Sequence, residues 1–456
     1  MIFNSLGREK QKFEPIQQGR VGIYSCGPTV YQRPHIGNYR AFIFADILRR
    51  TFLYNDYQVQ HIMNITDVGH LVGDGDEGED KITKQALAEG KTAWDIAKIY
   101  TDIFVQDMSV LHVLPFDVMP RATDHIEEQI AMIQTLAEKG FAYRISDGMY
   151  FDTSKLDDYG VLSGQKPEEK QEGARVAVNE EKRNATDFAL WKFSTEGEKR
   201  HMEWESPWGV GFPGWHIECS AMSEKYLGSP FDIHTGGIDH IPVHHTNEIA
   251  QTEGARGNRE AHYWMHLDFL RVDDQKMSKS LGNVYSLTDI EARGFDAMDL
   301  RYFFLGAHYR SSLNFTWEAM EAARTARRRL EHVMRVAESG GKVQVSYEKQ
   351  FHQAMNDDLN TPRALAVLWE MIGDEKVGAE DKVTTIKKMD EILGLGLAGL
   401  IGKKEKIPED ILRMVEERRL AREAKDFEKS DILRDAIAIK GYIVRDTDTG
   451  QIVEKM

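Results

Sequence analysis

The segment from residue 21 to about residue 110 alternates between two hydrophobic patterns, and this alternation constrains the fold most. Short apolar runs at 21–24 and 59–65 predict strands, whereas apolar residues at helical spacing at 40–54 and 93–113 predict helices. Alternation of this kind is typical of βαβ units, in which the successive strands are parallel. The pattern therefore predicts an α/β fold with a parallel sheet.

A tight turn follows the first predicted strand. The apolar run stops at Cys26-Gly27-Pro28, and a helix is predicted shortly after His35-Ile36-Gly37-Asn38. Glycine lets a backbone approach a ligand closely, and the free N–H groups at the start of a helix favour phosphate. The turn is therefore a candidate anion site. A turn with a purely structural role explains the same residues equally well.

Composition excludes several classes of protein. The chain has 456 residues, enough for about two to four domains. No apolar run approaches the ~18 residues of a membrane span, and the N-terminus lacks the apolar core of a signal peptide, so we expect a cytoplasmic protein without a membrane partner. Two cysteines cannot form a disulfide framework, and a net charge of −16 argues against non-specific coating of nucleic acid.

Two charged segments each allow two interpretations. The arginine-rich stretch 324–335 is either a local basic face or a solvated helix whose arginines pair with Glu321 and Glu331. The acidic segment 73–80 resembles a calcium loop, but no register supplies both the glycine and the glutamate that such a loop needs. The second segment is therefore predicted to be a flexible acidic loop.

The pattern changes after residue 113 and again after residue 300. A helix and short strands at 114–212 predict an insertion. The chain from residue 300 to residue 425 is predicted to be almost wholly helical, and residues 441–453 predict a hairpin-like tail. The fold class that we predict is a parallel-sheet α/β domain split by an insertion, followed by a helical bundle and a small C-terminal α+β tail. The predicted boundaries are 1–113 and 213–265 for the halves of the α/β domain, 114–212 for the insertion, 266–315 for a loop region, 316–400 for the bundle and 401–456 for the tail.

The second cysteine is part of a candidate metal site. Cys219 follows a Gly-Trp-His run, and downstream His244 and Glu248 would lie one turn apart on a helix. With Cys26 they form a set of sulfur, nitrogen and oxygen donors that suits zinc. His245 is only three residues from Glu248, so the choice of histidine stays open, and buried non-ligating cysteines are the alternative.

A lysine-rich loop is the last candidate. Lys276 and Lys279 are interleaved with serines and followed by glycine, which suits a mobile loop that closes on phosphates and neutralises a pyrophosphate leaving group. A solvated loop of lysine and serine is the alternative explanation.

Several of these motifs resemble those of one enzyme family. His35-Ile36-Gly37-Asn38 and the Lys276–Ser280 segment resemble the two signatures of class I aminoacyl-tRNA synthetases. Further segments, in the same order along the chain, resemble the cysteine-specific family of that class; they are Cys26–Tyr31, Asn64–Asp67, Gly214–Ser220, His244–Gln251 and Asn356–Pro362. Each motif is short, but their joint order is highly specific.

The resemblance implies a Rossmann-like catalytic domain and roles for named residues. It implies one zinc ion on Cys26, Cys219, His244 and Glu248, where the substrate cysteine would bind through its thiolate. It places Thr66 and Trp215 beside the amino acid. Selection by a metal removes the need for editing, so no editing domain is expected at 114–212.

The resemblance also implies where ATP binds with Mg²⁺. His35, Gly37 and Asn38 would meet the phosphates, Gly236, Gly237 and Asp239 would hold the adenosine, and Lys276 and Lys279 would face the pyrophosphate. The expected partners are L-cysteine, ATP and tRNA(Cys), with the bundle 316–400 binding the tRNA, the tail 401–456 reading the anticodon, and a monomeric enzyme.

Some residues that flank the adenylate pocket and the insertion depart from the family pattern, namely Phe212, Thr235, His240, Gly69–Leu71 and the acidic loop at 73–80. Two other functions remain as alternatives. One is a cysteine ligase that acts on an amino sugar, which the long helical region after residue 320 disfavours. The other is a non-catalytic RNA-binding descendant of a synthetase, which the intact signatures disfavour.

Overall fold

The computed structural model of the chain describes residues 1–68, 81–164, 179–194, 202–338, 340–403, 407–447 and 450–455. The acidic loop predicted at 73–80 lies outside these residues, as does most of the polar stretch 165–184. Among the helices that are described, none is both long and apolar enough to cross a membrane.

A four-stranded parallel sheet forms the centre of the first part of the chain. The elements up to residue 110 are β1 Ile2–Asn4, β2 Glu9–Gln11, β3 Arg20–Ser25, α1 Ile36–Tyr54, β4 Gln58–Met63, α2 Lys81–Glu89 and α3 Ala93–Val110. Those from 217 to 315 are α5 Ile217–Leu227, β9 Phe231–Gly237, α6 His244–Arg256, β10 Ala261–Leu267, β11 Leu270–Val272, β12 Gln275–Lys276, α7 Leu287–Ala292, α8 Ala297–Leu305 and β13 Leu313–Phe315. The sheet order is β10-β9-β3-β4, and every pair is parallel.

The second predicted strand is shorter than its apolar run. It ends at Met63 instead of residue 65, because the chain turns at Asn64, whose side chain accepts a hydrogen bond of 2.8 Å from Gly27 N. A Cβ atom at Gly27 would overlap the carbonyl oxygen of Asn64. The glycine in the turn is therefore required by a close approach of two backbone segments.

Helix α1 begins at Ile36, earlier than the apolar spacing indicates. His35 is its N-cap, and His35 Nδ1 accepts hydrogen bonds from Gly37 N at 3.1 Å and Asn38 N at 3.3 Å. The side-chain oxygen of Asn38 in turn accepts a hydrogen bond of 3.0 Å from His35 N. This reciprocal cap satisfies N–H groups that a helix start leaves without partners.

The insertion has its own small antiparallel sheet. Its elements are α4 Ile126–Glu138, β5 Ala142–Ile145, β6 Gly148–Phe151, β7 Phe188–Phe193 and β8 Gly211–Pro213, with the strands in that order. The last of these strands, β8, pairs antiparallel with β7. The parallel part resumes with α5, directly after this strand.

Helices dominate the rest of the chain. They are α9 Trp317–Val336, α10 Val345–Asn356, α11 Thr361–Gly373, α12 Ala379–Leu393, α13 Glu409–Glu423 and α14 Phe427–Ile439, followed by the hairpin β14 Tyr442–Thr447 and β15 Gly450–Lys455. Helix α14 was not predicted. The predicted fold class is confirmed: a parallel α/β domain split by an insertion, then a helical region and a small α+β tail.

Buried charges connect helix α1 to this helical region. Arg301 is fully buried and donates from Nη2 to Asp46 Oδ2 at 2.6 Å and from Nε to Leu393 O at 2.8 Å. On the arginine-rich helix α9, Arg327 pairs with Asp299 at 2.7 Å and also with Glu331. Pairing of this kind favours the structural interpretation of that helix over a basic face.

Candidate active site and metal centre

The predicted site residues lie at one edge of the central sheet. Cys26 directly follows β3, Thr66 lies just beyond β4, and Gly236 and Gly237 end β9. The carboxyl ends of parallel strands meet at one edge, where α/β proteins bind their ligands. Hydrogen bonds join these strand ends, from Cys26 N to Thr235 O at 3.2 Å and from Val30 N to Thr66 O at 3.1 Å.

Four donor groups converge at this edge. One ligand atom from each of Cys26, Cys219, His244 and Glu248 lies within 4.8 Å of the other three. Tetrahedral zinc with ligands at 2.0–2.3 Å needs donor atoms roughly 3.3–3.8 Å apart, so small side-chain adjustments would close the site. Segments far apart in sequence therefore supply one compact set of sulfur, nitrogen and oxygen donors.

The geometry of Glu248 fits a metal ligand. Its Oε2 atom lies 2.6 Å from His234 Nε2, which orients the carboxylate. Its Oε1 atom is buried and has no aligned hydrogen-bond donor among the described residues, although His244 Nε2 lies only 2.7 Å away. Two ligand atoms that are close together but do not form an aligned hydrogen bond can both point toward a metal ion between them.

The electrostatics of the cluster also favour a cation. A hydrogen bond with Cys26 lowers the pKa of the Cys219 thiol to about 7, whereas burial raises the pKa of Cys26. Burial alone would raise the pKa of Glu248, but His244 and His234 hold it below its usual range. A buried carboxylate and a thiol of lowered pKa thus lie side by side, where a bound cation would be stabilised.

A second donor group overlaps the first. Cys26 and Glu248 also lie within 4.8 Å of ligand atoms of His234 and His245. His245 Nε2 is 3.2 Å from Cys26 Sγ, and its Nδ1 is 2.7 Å from His266 Nε2. The set with His244 contains both thiols, so it suits zinc better, and it leaves His245 bonded at both ring nitrogens.

The histidines that orient the donor set were not predicted from the sequence. His216 Nδ1 lies 2.9 Å from His244 Nδ1, and His234 bonds Glu248. Such partners fix the tautomer and the direction of a ligating ring. His216 follows Trp215 directly, and His234 lies in the strand before Gly236. Their proximity to predicted site residues was the only signal in the sequence.

The two signature segments contact each other. A Cβ atom at Gly37 would overlap the Met277 side chain, so the start of helix α1 and the lysine loop are in contact. Ile36 N donates to Tyr285 O at 2.9 Å, on the far side of that loop. Lys276 is exposed at the end of β12, and Lys279 lies in a short 3-10 helix, Lys279–Leu281.

The remaining predicted residues line the same edge. The Trp215 ring lies 4.8 Å from the ring of His244, and Thr66 Oγ1 accepts a 2.9 Å bond from Asn64 Nδ2. Asp239 lies in the short 3-10 helix after β9, close to Gly237.

Two residues that depart from the family pattern also lie here. Thr235 Oγ1 forms a hydrogen bond of 2.7 Å with Ser25 Oγ inside the sheet. Unusual His240 also lies at the centre, with its ring 5.1 Å from that of His244.

Comparison with known proteins adds to this geometry. The family described as "tRNA synthetases class I (C) catalytic domain" matches residues 12–325, and the "DALR domain" matches residues 350–398. "Cysteine--tRNA ligase 1" of Burkholderia lata is 50% identical over 451 residues, which cover 99% of this chain and 96% of that relative. The chain belongs to the cysteine–tRNA ligase family. "Cysteine--tRNA ligase" of Treponema denticola is 42% identical, with 98% and 97% of the two chains covered.

The fold of this cysteine–tRNA ligase family member extends to more distant enzymes. The solved structure of Mycobacterium tuberculosis methionyl-tRNA synthetase in complex with methionyl-adenylate has a TM-score of 0.57 at 15% identity. The match covers 84% of this chain and 92% of that one. The predicted resemblance to class I synthetases is therefore confirmed in both sequence and fold.

The two overlapping donor groups lead to a testable difference between adjacent histidines. In this cysteine–tRNA ligase family member, we predict that His244→Ala lowers the bound metal to less than ~0.1 ion per chain, because removing one of four ligands opens the site. The matched variant His245→Ala should keep at least ~0.5 ion per chain, because its ring only supports the set. Elemental analysis of the purified proteins measures both values. The opposite order would favour the donor group that contains His234 and His245.

Proposed function

We propose that the chain activates L-cysteine with ATP and transfers it to the 3′ end of its cognate tRNA. The single observation that carries this function is the four-donor cluster of Cys26, Cys219, His244 and Glu248, adjoining the turn that carries His35. A candidate site for a thiol-binding metal would thus share this turn with a candidate site for phosphate. This arrangement and the family membership together favour a cysteine-dependent, ATP-dependent ligase.

Zinc fits the donor set better than other common metals do. Two thiolates, an imidazole and a carboxylate are typical zinc ligands, whereas magnesium and calcium prefer oxygen donors. Bound zinc would deprotonate and hold a thiol, which a serine hydroxyl cannot match at neutral pH. Trp215 and Thr66 would enclose the same amino acid, Thr66 with its hydroxyl held by Asn64.

Phosphate chemistry is assigned to the two signatures. His35, Gly37 and Asn38 would bind the ATP phosphates at the start of helix α1, and Gly236, Gly237 and Asp239 would hold the adenosine. The substrate carboxylate attacks the α-phosphorus, pyrophosphate leaves, and Lys276 and Lys279 neutralise the charge that develops on it. ATP enters with Mg²⁺. The terminal hydroxyl of the tRNA then attacks the cysteinyl-adenylate, and AMP leaves.

The other segments are assigned to tRNA. The bundle 316–400 would bind the tRNA and the tail 401–456 would read its anticodon, with the catalytic halves at 1–113 and 213–265 and the loop region at 266–315. The insertion 114–212 is assigned no editing activity. A cytoplasmic location and a monomeric state stay predictions.

We expect the purified protein to exchange labelled pyrophosphate into ATP only when L-cysteine is present. Serine should support exchange at least ~10⁴-fold more weakly, because a site built around one polar group rejects an analogue that cannot make the same contact. The assay measures kcat/KM for each amino acid at equal enzyme concentration. Comparable exchange with serine would contradict metal-based selection.

Charging assays separate this function from the alternatives. Radiolabelled cysteine should appear on a tRNA(Cys) transcript and not on an amino sugar supplied in its place. Labelling of the amino sugar alone would identify the sugar ligase. RNA binding without any exchange would identify a non-catalytic protein.

A further inference from the structure

The segment 356–362 joins helix α10 to helix α11, and the proposed function leaves it without a role. Its Asp358 side chain is fully buried. Asp358 Oδ1 accepts from Tyr309 OH at 2.6 Å and from Phe3 N at 2.8 Å, and Oδ2 accepts from Arg310 Nε at 2.7 Å. The buried carboxylate and its three hydrogen-bond donors thus form a joint that connects this segment to two other segments of the chain.

The backbone of this joint supports the same interpretation. Asp358 and Leu359 have φ values of 62° and 54°, in the left-handed region that residues other than glycine seldom adopt. Asp358 N also donates to Met1 O at 2.9 Å. Contacts on both the side chain and the backbone therefore hold the aspartate in an unfavourable conformation, which is typical of residues with a specific positional role.

Asp358 hydrogen-bonds to the segment 308–311, and Arg40 connects this segment to helix α1. The Arg40 side chain is buried and donates to four carbonyl oxygens instead of a carboxylate. Two of them, Ser311 O at 2.7 Å and His308 O at 3.3 Å, belong to this segment. The others are Asp268 O at 2.8 Å and Phe269 O at 2.9 Å. Arg40 thus connects the segment 308–311 to the residues just before β11.

Strand β11 leads from there to the signature loop. It pairs in parallel with β13, which follows residues 308–311, and antiparallel with β12, where Arg271 faces Lys276. Asp268 N also donates to Tyr309 O at 2.9 Å. A displacement of Tyr309 and Arg310 would therefore move the base of the loop that carries Lys276.

We infer that Asp358, which lies in the helical region, is a positioning residue. It fixes the position of the base of the signature loop relative to helix α1. It acts through Tyr309, Arg310 and Arg40, and it touches no substrate. This inference rests on the proposed function, in which Lys276 meets the pyrophosphate. The neighbouring Asp357 is half exposed, and within the described part of the chain its ion pair is the surface pair with Lys10.

The test compares the same substitution at adjacent residues of the full-length, zinc-loaded protein. Asp358→Asn places an amide N–H₂ against Arg310 and weakens the joint, whereas Asp357→Asn removes only a surface pair. For Asp358→Asn we expect kcat of cysteine-dependent pyrophosphate exchange to fall about 10- to 100-fold, because a displacement of a catalytic group by about 1 Å lowers the rate by up to about this factor. KM for cysteine and the zinc content should stay within about twofold of wild type, because an interaction realised only in the transition state changes kcat. Asp357→Asn should match wild type in all three measurements.

A second variant keeps the inference testable if Asp358→Asn does not fold. Tyr309→Phe removes one hydroxyl from the joint, and it should lower kcat about 3- to 10-fold, again without a change in KM for cysteine. A folded Asp358→Asn protein with wild-type kcat would overturn the inference. So would a parallel loss of zinc and of cysteine binding, which indicates general destabilisation. Wild-type protein without exchange would overturn the proposed function and this inference together, whereas an active wild type with an equally active Asp358→Asn variant would overturn the inference alone.

Discussion

Cys219→Ala is expected to remove both the metal and the ability to select cysteine. Zinc should fall from one ion per chain to less than ~0.1, because a three-donor site that has lost a thiolate binds zinc far more weakly. Cysteine-dependent pyrophosphate exchange should fall by at least ~10³-fold, since the discrimination available from such a polar contact is on the order of 10⁴. Elemental analysis and the exchange assay measure the two effects on the same preparation.

The control for this prediction is the adjacent Ser220→Ala. Ser220 is buried on the same helix and bonds Gln251 at 2.7 Å, but it contributes no atom to the donor cluster. It should keep its zinc and more than about a third of its exchange activity, because an ordinary hydrogen bond contributes about 1 kcal/mol to stability. Both variants should keep the far-ultraviolet circular dichroism of wild type, since the parallel sheet does not depend on the thiol. Unchanged zinc in Cys219→Ala would show that the ion is held by the other donor group.

Lys276→Met is expected to slow the chemical step without weakening amino acid binding. Lys276 is exposed at the end of β12, so its removal leaves the core intact. The kcat of pyrophosphate exchange should fall about 10²- to 10³-fold, the usual effect of removing one group that stabilises charge in a transition state. KM for cysteine should stay within about twofold, because the metal cluster lies at the strand ends and not in the loop.

Lys98→Met provides a matched surface control. Lys98 is well exposed on helix α3, and among the residues that the structure describes its ion-pair partner is Asp102, at 2.7 Å. Its loss should change neither kcat nor KM measurably, since exposed pairs contribute about 0–1 kcal/mol to stability. If Lys276→Met raised KM for cysteine and left kcat unchanged, the loop would have a binding role and not the proposed role at the leaving group.

Local chemistry was predicted from the sequence where it depends on neighbouring residues. The turn at Gly27 and the helix after His35 were both predicted, although the cap formed by His35 and Asn38 starts the helix before its apolar pattern begins. A cap depends on hydrogen bonds between side chain and backbone, which hydrophobic spacing does not register. Helix α14 was missed because it buries few residues, Ser430 and Ile437, so its apolar periodicity is weak.

The sequence by itself determined the α/β class, the order of the family motifs and the chemical types in the donor set. These features depend on periodicity and residue identity, which are written in the chain. Only the tertiary structure decided how Cys26, Cys219, His244 and Glu248 meet, since strand ends distant in sequence converge at one edge of a parallel sheet. It also revealed the orienting contacts of His216 and His234 and the joint at Asp358. Such contacts arise from the packing of separate segments, so spacing along one chain cannot predict them.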